Sequence, residues 1–272
     1  MSSTNNMNML LVDVHAHLDL KGYEAHGGID KLIDDCEHNG VKIIVSNGTN
    51  ISSNRSVLAL SKKHHIVKAA LGIYPMHCIE MIEGGFEKEF NEELQFIEDM
   101  IKDKKCIAIG EVGLEYKEIK DINDTKKNIQ KSCLKKFIHI AKKHNIPIII
   151  HSRGAELEIV ELLEEEGMKH HKVVMHCFSG RKHIIQRIRE NGWYFSVPCN
   201  INRSLHFQQL VNDVPVEQLL TETDAPLLSP TPGEVNRPDN VLQTVKKIAE
   251  IKKLTPVEVS NMIYANYQKV FM

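Results

Sequence analysis

The stretch LLVDVHAHLD, residues 10–19, joins an apolar run broken only by Asp13 to two histidines. Seven more short runs rich in apolar and β-branched residues follow, and each has the length of a buried strand. They are residues 41–46, 67–73, 106–112, 146–152, 172–177, 193–197 and 219–224. Segments with helical periodicity separate these runs, and several end in Gly or Asn. This alternation predicts parallel strands that are covered by helices on their outer faces.

Eight strand–helix units in 272 residues match the size of a (β/α)8 TIM barrel, an α/β fold. A doubly wound open sheet is the competing arrangement. No linker, repeat or change of composition divides the chain, so we expect one domain over residues 1–272, with residues 1–8 flexible. Two further helices are expected after the last strand, at about 238–252 and 256–270, the second beginning at Thr255-Pro256.

The overall composition restricts the function only broadly. Hydrophobic residues make up 42% and charged residues 26% of the chain, as in ordinary soluble proteins. The formal net charge is −2, so a polyanionic substrate would have to be held locally rather than attracted by bulk charge. The chain shows neither a signal-peptide pattern nor an apolar run of about 18 residues. We therefore expect a cytoplasmic protein without a membrane contact, and we infer no obligate protein partner.

Residue types that bind metals collect at the carboxyl ends of five predicted strands. They are His15, His17, Glu111, His151, His176 and Asp224. A barrel places its active site at this face. A single histidine or carboxylate at a strand end is more often a hydrogen-bonded or capping residue. Six of them at one level would be costly to bury without a shared cation, so the pattern favours a metal centre.

Six ligands exceed the four of a single tetrahedral site, so the sequence predicts two divalent cations bridged by Glu111. The first ion is assigned His15, His17, Glu111 and Asp224. The second ion is assigned Glu111, His151 and His176. Imidazole ligands suit Zn²⁺ or Mn²⁺, whereas carboxylates also accept Mg²⁺, and the identity of the ions stays open.

Two cations held this way predict hydrolysis by a metal-activated hydroxide. Asp224 is the expected proton acceptor from the nucleophile, and Glu111 is the expected bridging ligand at the reaction centre. The same ions could act on a phosphodiester or polarise the carbonyl of an ester or amide. A catalytically silent barrel that only binds a partner is a third possibility, and the complete ligand set argues against it.

The motifs that carry these residues resemble the TatD-like family of metal-dependent deoxyribonucleases, which are amidohydrolase-like TIM-barrel hydrolases. The resemblance spans most of the chain. It rests on DVHAHLD (13–19), GEVGLE (110–115), PIIIHSR (147–153), HCFSG (176–180), ETDAP (222–226) and NRPDNV (236–241). It implies the same six metal ligands and a phosphodiesterase or deoxyribonuclease acting on DNA or a small phosphodiester.

Two positions depart from the family pattern. Glu115 stands where the family usually has Asp, and Tyr74 stands where it usually has a histidine thought to hold substrate phosphate. Tyr74 can donate a hydrogen bond but carries no positive charge. We expect Arg153, Tyr74 and His77 to contact substrate, with an ion pair to a neighbouring loop as the equal alternative for Arg153.

Three further side chains near these motifs have expected roles. Phe178 could stack on a base, although packing is the favoured role for an aromatic residue at a strand end. Glu222 and Thr223 lie beside Asp224 and are expected to orient metal ligands through hydrogen bonds.

Overall fold

Eight parallel strands form one sheet in chain order, β1 to β8, in the computed structural model, which describes residues 9–272. The strands are β1 Leu11–Ala16, β2 Val41–Asn47, β3 Val67–Leu71, β4 Ala108–Glu115, β5 Ile148–Arg153, β6 Val173–His176, β7 Tyr194–Pro198 and β8 Leu219–Glu222. The predicted flexibility of residues 1–8 concerns positions outside the described residues. Every predicted strand corresponds to an observed one.

The sheet closes on itself where the first and last strands meet. The Asp224 amide donates a hydrogen bond to the His15 carbonyl at 2.8 Å, and the His17 amide donates to the Ala225 carbonyl at 2.7 Å. The Thr223 hydroxyl adds a bond of 2.5 Å to the buried carboxylate of Asp13. These contacts confirm the predicted (β/α)8 barrel and exclude the open doubly wound sheet.

Ten α-helices alternate with the strands in residues 9–272. They are α1 Ile29–His38, α2 Ile51–Lys63, α3 Pro75–Glu83, α4 Glu87–Lys102, α5 Asp124–His144, α6 Glu156–Glu165, α7 Lys182–Glu190, α8 Leu205–Asp213, α9 Val241–Lys252 and α10 Pro256–Phe271. Local sequence sets several of their ends. Thr255 and Glu258 form a reciprocal capping box at the start of α10, with Pro256 in its first turn.

The strand residues supply most of the buried core. Side chains such as Val12, Ile44 and Ile149 are fully buried, as parallel strands covered on both faces require. Helices α9 and α10 follow β8 as predicted and pack against β8 and β1. Within residues 9–272, none of the helices combines the length and apolar character that crossing a membrane requires.

Candidate metal centre

The six predicted ligands lie together at the carboxyl end of the barrel. Each is at least nine-tenths buried, and each comes from a strand or from the first residues after one. They are His15, His17, Glu111, His151, His176 and Asp224. The prediction that these residues converge therefore agrees with the geometry. Their assignment as ligands remains a proposal.

The HxH motif of β1 points two imidazoles at one spot. The Nε2 atoms of His15 and His17 are 3.1 Å apart. Both face Oδ1 of Asp224, at 3.5 Å and 3.3 Å respectively. Alternation along an extended strand places residues two apart on the same face, which explains this convergence.

Glu111 occupies the middle of the cluster. Its Oε1 lies 2.7 Å from Nδ1 of His151 and 3.8 Å from Nε2 of His176. Its Oε2 lies 3.4 Å from Nε2 of His17 and 3.6 Å from Nε2 of His15. One carboxylate therefore contacts both groups of histidines, as the predicted bridging role requires.

Hydrogen bonds behind the ligands fix which ring nitrogens face the centre. Nδ1 of His17 donates to the carbonyl of Asn47 at 3.0 Å, and Nδ1 of His176 donates to Glu222 at 2.8 Å. With Nδ1 engaged in this way, Nε2 is the atom that each of these two rings turns toward the centre. Burial raises the pKa of Glu222 to about 8, and Ser196 donates a second hydrogen bond to this carboxyl group.

The donor atoms fit divalent cations. Three sets of side chains each bring their donor atoms within 4.8 Å of one another. They are His15, His176 and Asp224; His15, His17 and Glu111; and Glu111, His151 and His176. Two inward-facing ring nitrogens and two carboxylates in a buried space repel each other unless a cation or protons lie between them. Imidazole and carboxylate are ligands that Zn²⁺ and Mn²⁺ accept.

The charges in the cluster are strongly coupled. Burial lowers the pKa of His15 and His176 below the ordinary value for histidine. Burial acts in the same direction on His17, but hydrogen bonds with Asp224 and Glu111 outweigh it and raise the pKa of His17. Burial alone would raise the pKa of Glu111, but the surrounding imidazoles hold it well below the usual range. Glu111 is therefore a carboxylate at neutral pH.

Local backbone geometry makes room for these side chains. Asp224 has a left-handed backbone, with φ of 59°, directly after β8. Such a conformation is uncommon for a residue other than glycine and is maintained here by the surrounding contacts. Gly113 in β4 lies so close to β5 that an added Cβ would stand 1.9 Å from the carbonyl oxygen of His151. Only glycine allows the two ligand-bearing strands to approach this closely.

The predicted substrate contacts have partners within the protein. Arg153 forms an ion pair with Glu118, which is the alternative that the sequence left open. His77 pairs with Glu80 at 2.8 Å on α3. These pairings neither establish nor exclude a role in substrate binding. Phe178 is buried against Phe195, so its packing role is confirmed.

Tyr74 and Glu115, the two departures from the family pattern, contact the same ligand. The Tyr74 hydroxyl lies 3.2 Å from Glu115 Oε2 and 3.3 Å from His151 Nε2. Glu115 Oε2 is itself 2.9 Å from His151 Nε2. The longer side chain thus reaches the proposed ligand His151 directly, and the tyrosine lies at the edge of the cluster.

Sequence reasoning missed one supporting residue and misplaced another. Asn47 at the end of β2 holds His17 through its carbonyl, while its amide donates to the carbonyl of Val45 at 3.0 Å. Its position at a strand end was the signal that could have identified it. Thr223 was expected to orient a metal ligand, but it holds Asp13 and joins β8 to β1 instead.

The barrel and its buried histidine–carboxylate cluster define the metal-dependent hydrolase class of TIM-barrel proteins. The model of the TatD related DNase family matches residues 12–272, and the chain belongs to this family of metal-dependent hydrolases. The family resemblance predicted from the sequence is therefore confirmed.

Individual relatives match over nearly the full length. The Bacillus subtilis (strain 168) protein called uncharacterized metal-dependent hydrolase YabD is 31% identical over 96% of this chain and 99% of its own length. Human deoxyribonuclease TATDN3 is 30% identical over 96% of this chain and 94% of its own. The crystal structure of YJJV, a TatD homologue from Escherichia coli, superposes with a TM-score of 0.81 at 23% identity, covering 97% of this chain and 99% of that one.

Proposed function

We propose that this metal-dependent hydrolase cleaves phosphodiester bonds in DNA, with two divalent cations held by the six converging side chains. The observation that carries the proposal is the central position of Glu111, whose two oxygens face different sets of histidines. The similarity to the human protein named deoxyribonuclease TATDN3 supports the choice of DNA as substrate.

The bound cations and Asp224 have different proposed roles in the reaction. Bound cations would supply Lewis-acid polarisation of the scissile phosphate and would lower the pKa of water. Asp224 is the most open of the four carboxylates that contact the histidines of the cluster, with 12% of its side chain exposed against 4% for Glu111, 1% for Glu115 and 0% for Glu222. Asp224 therefore faces arriving water and substrate, and we assign it the role of proton acceptor.

Arg153, Tyr74 and His77 are the proposed substrate contacts. The Tyr74 hydroxyl is within hydrogen-bonding distance of the cluster and can donate to a phosphate oxygen. Arg153 is half-exposed and would have to exchange Glu118 for a phosphate, which its planar guanidinium can bind through two hydrogen bonds.

An ester or amide hydrolase is the second candidate. The two basic residues proposed to meet a phosphate, Arg153 and His77, are each paired with a carboxylate. A carbonyl substrate needs less positive charge around it than a phosphodiester does. The pairing of Arg153 and His77 with carboxylates is therefore the observation that supports ester or amide hydrolysis as the second candidate.

An activity panel distinguishes the candidates. Protein loaded in turn with Zn²⁺, Mn²⁺ and Mg²⁺ is assayed on single-stranded DNA, bis(4-nitrophenyl) phosphate and 4-nitrophenyl acetate. We expect phosphodiester turnover, and we expect Asp224→Ala to lower its kcat by at least about 100-fold because the proton acceptor is lost. Ester turnover without phosphodiester turnover would instead support the second candidate.

A matched variant controls for general effects of removing a carboxylate. Asp99 is exposed on α4, and the side-chain partners of its carboxylate within residues 9–272 are Gln95 and Lys102, so Asp99→Ala should leave kcat unchanged. Circular dichroism of each variant verifies that the barrel is folded. Equal activity of Asp224→Ala and wild type would refute the assigned role of Asp224.

A further inference from the structure

A groove of about 920 Å³ opens at the amino-terminal end of the barrel, opposite the metal centre. It lies between helices α2, α4 and α10, over the start of β3 and the segment before β4. Leu58, Met100 and Ile107 line its sides. Tyr267 and Phe271, whose rings stack at 5.1 Å, form an aromatic wall. This volume falls in the range of small-molecule sites.

Charge around this groove is strongly one-sided. Four lysines line it, and no aspartate or glutamate side chain does, although the chain as a whole has a net charge of −2. The lysines are Lys62, Lys68, Lys104 and Lys105. Only Lys105 has a carboxylate partner, Asp103 at 2.9 Å, among the ion pairs of residues 9–272. Lys68 donates to the carbonyl of His65 at 2.8 Å, so the ammonium groups of Lys62 and Lys104 are the two that remain available for an external anion.

The positions of the lysines give the groove a polarity. Lys104 and Lys105 lie in the connection between α4 and β4, whereas Lys62 in the last turn of α2 and Lys68 in β3 flank the connection between those two elements. The aromatic lining residues all come from α10, which contributes no lysine to the groove, and Leu58 lies about one turn before Lys62 on α2. A ligand that matches this arrangement has an anionic head at the two connections and an apolar body along the helices.

We propose that this groove binds a single-chain carboxylate amphiphile of the fatty-acid class. The apolar chain would lie against Leu58, Met100 and the aromatic wall, and the carboxylate would face the unpaired ammonium groups of Lys62 and Lys104. A concave cavity suits a small molecule better than a folded protein partner, because protein interfaces need broad surfaces of roughly 800 Å² on each partner. The site is independent of the proposed hydrolytic function.

Isothermal titration of the full-length protein tests the proposal below the micellar concentration of each ligand. Octanoate, decanoate and dodecanoate should bind at one site, each added methylene tightening binding by about fourfold. Decyltrimethylammonium, with the same chain as decanoate but a cationic head, should bind much more weakly.

The double substitution Lys62→Gln/Lys104→Gln should weaken decanoate binding by about tenfold. The exposed pair Lys88→Gln/Lys246→Gln, on α4 and α9, should not.

A second variant tests the groove without changing its charge. Ala59 is exposed at the edge of the groove on α2, so Ala59→Trp should fill the entrance and weaken decanoate binding. Ser52→Trp, exposed on the same helix, is the matched control. Absence of saturable binding, equal affinity for the cationic amphiphile, or unchanged affinity in both groove variants would overturn the proposal. Sedimentation showing a dimer that Ala59→Trp dissociates would also overturn it, in favour of a second copy of the chain.

Discussion

Replacing Glu111 by glutamine removes the charge at the centre of the site and leaves its shape nearly unchanged. Glu111 Oε1 lies 2.7 Å from Nδ1 of His151, and its Oε2 lies 3.4 Å from Nε2 of His17. Because one carboxylate faces both sets of imidazoles, the substitution should lower the affinity of the cluster for every cation that it binds. If Glu111 served only one of the two sets of imidazoles, the variant would keep part of the rise in Tm that metal causes in the wild type.

The size of the effect follows from linkage between metal binding and folding. A metal at 100 times its Kd stabilises the folded wild type by about 2.7 kcal/mol. For a chain of this size, about 1 kcal/mol shifts Tm by roughly 2 °C, so the expected rise in Tm is about 5 °C. Loss of a ligand should weaken binding by at least about 100-fold, since even supporting residues contribute 10–100-fold. At the same metal concentration the variant then gains only about 0.4 kcal/mol, or less than about 1 °C.

Scanning calorimetry of chelator-stripped protein, titrated with Zn²⁺ or Mn²⁺, measures these shifts directly. Glu92→Gln is the matched control, because Glu92 is exposed on α4 and its one ion pair among the described residues is with Lys88. The control should keep the full rise in Tm. A Glu111→Gln variant that keeps the wild-type rise would show that Glu111 is not a shared ligand. A wild type that does not respond to metal would refute the metal centre itself.

Three further predictions concern residues that support the site and the fold. Glu222→Ala should lower metal affinity by about 10–100-fold in equilibrium dialysis, because His176 loses the carboxylate 2.8 Å from its Nδ1. Arg55→Ala should lower the free energy of unfolding in urea by about 2 kcal/mol, because it leaves the Glu93 carboxylate, which is 2% exposed, without its two-fold ion pair. Ion pairs with lysines lower the pKa of Glu98 to about 2, so wild type should lose its stability advantage over Glu98→Gln as pH falls from about 4.5 towards 2.

Each of these predictions has a result that contradicts it. Unchanged metal affinity in Glu222→Ala would show that orientation of His176 does not depend on this carboxylate. Adding Glu93→Gln to Arg55→Ala should restore part of the lost stability, since no buried charge then remains. An Arg55→Ala/Glu93→Gln protein no more stable than the single variant would refute that explanation. For Glu98, parallel stability curves of wild type and variant from pH 6 to 2 would contradict the pKa shift.

The strands and the fold class were predictable because their signal is local. An apolar run followed by a segment with helical periodicity appears eight times in the sequence. Tertiary contacts change only the positions at which the strands begin and end. The third run was predicted to reach residue 73, but β3 ends at Leu71 because the chain turns into α3, with Pro75 in its first turn. The fourth run was predicted over residues 106–112. Its strand is predicted to end in GEVGLE (110–115), and β4 does extend to Glu115, because close packing against β5 outweighs the low strand propensity of Gly113.

The site was predictable to the level of residue type and strand end, but its internal contacts were not. Glu222 ends β8, and Asp224 follows it by two residues with a left-handed backbone; both contact histidines of the cluster. Thr223 between them donates to Asp13 instead, and the alternation of the strand encodes neither this partner nor the backbone turn at Asp224. That the longer Glu115 would touch His151 depends on the spacing of β4 and β5, and no pattern within either strand encodes that spacing.

Closure of the barrel and assembly of the metal centre are the same structural event. His15 and Asp224 are separated by more than two hundred residues, yet the amide of one donates to the carbonyl of the other across the seam between β1 and β8. The bonds that close the sheet therefore bring Asp224 Oδ1 to 3.3 Å from Nε2 of His17. In a chain whose last strand has not docked, one of the four proposed ligands of the first ion, Asp224, is missing from the site. Metal binding should consequently stabilise this seam more than any other part of the sheet, because only the closed barrel presents both ends of the chain to the same cation.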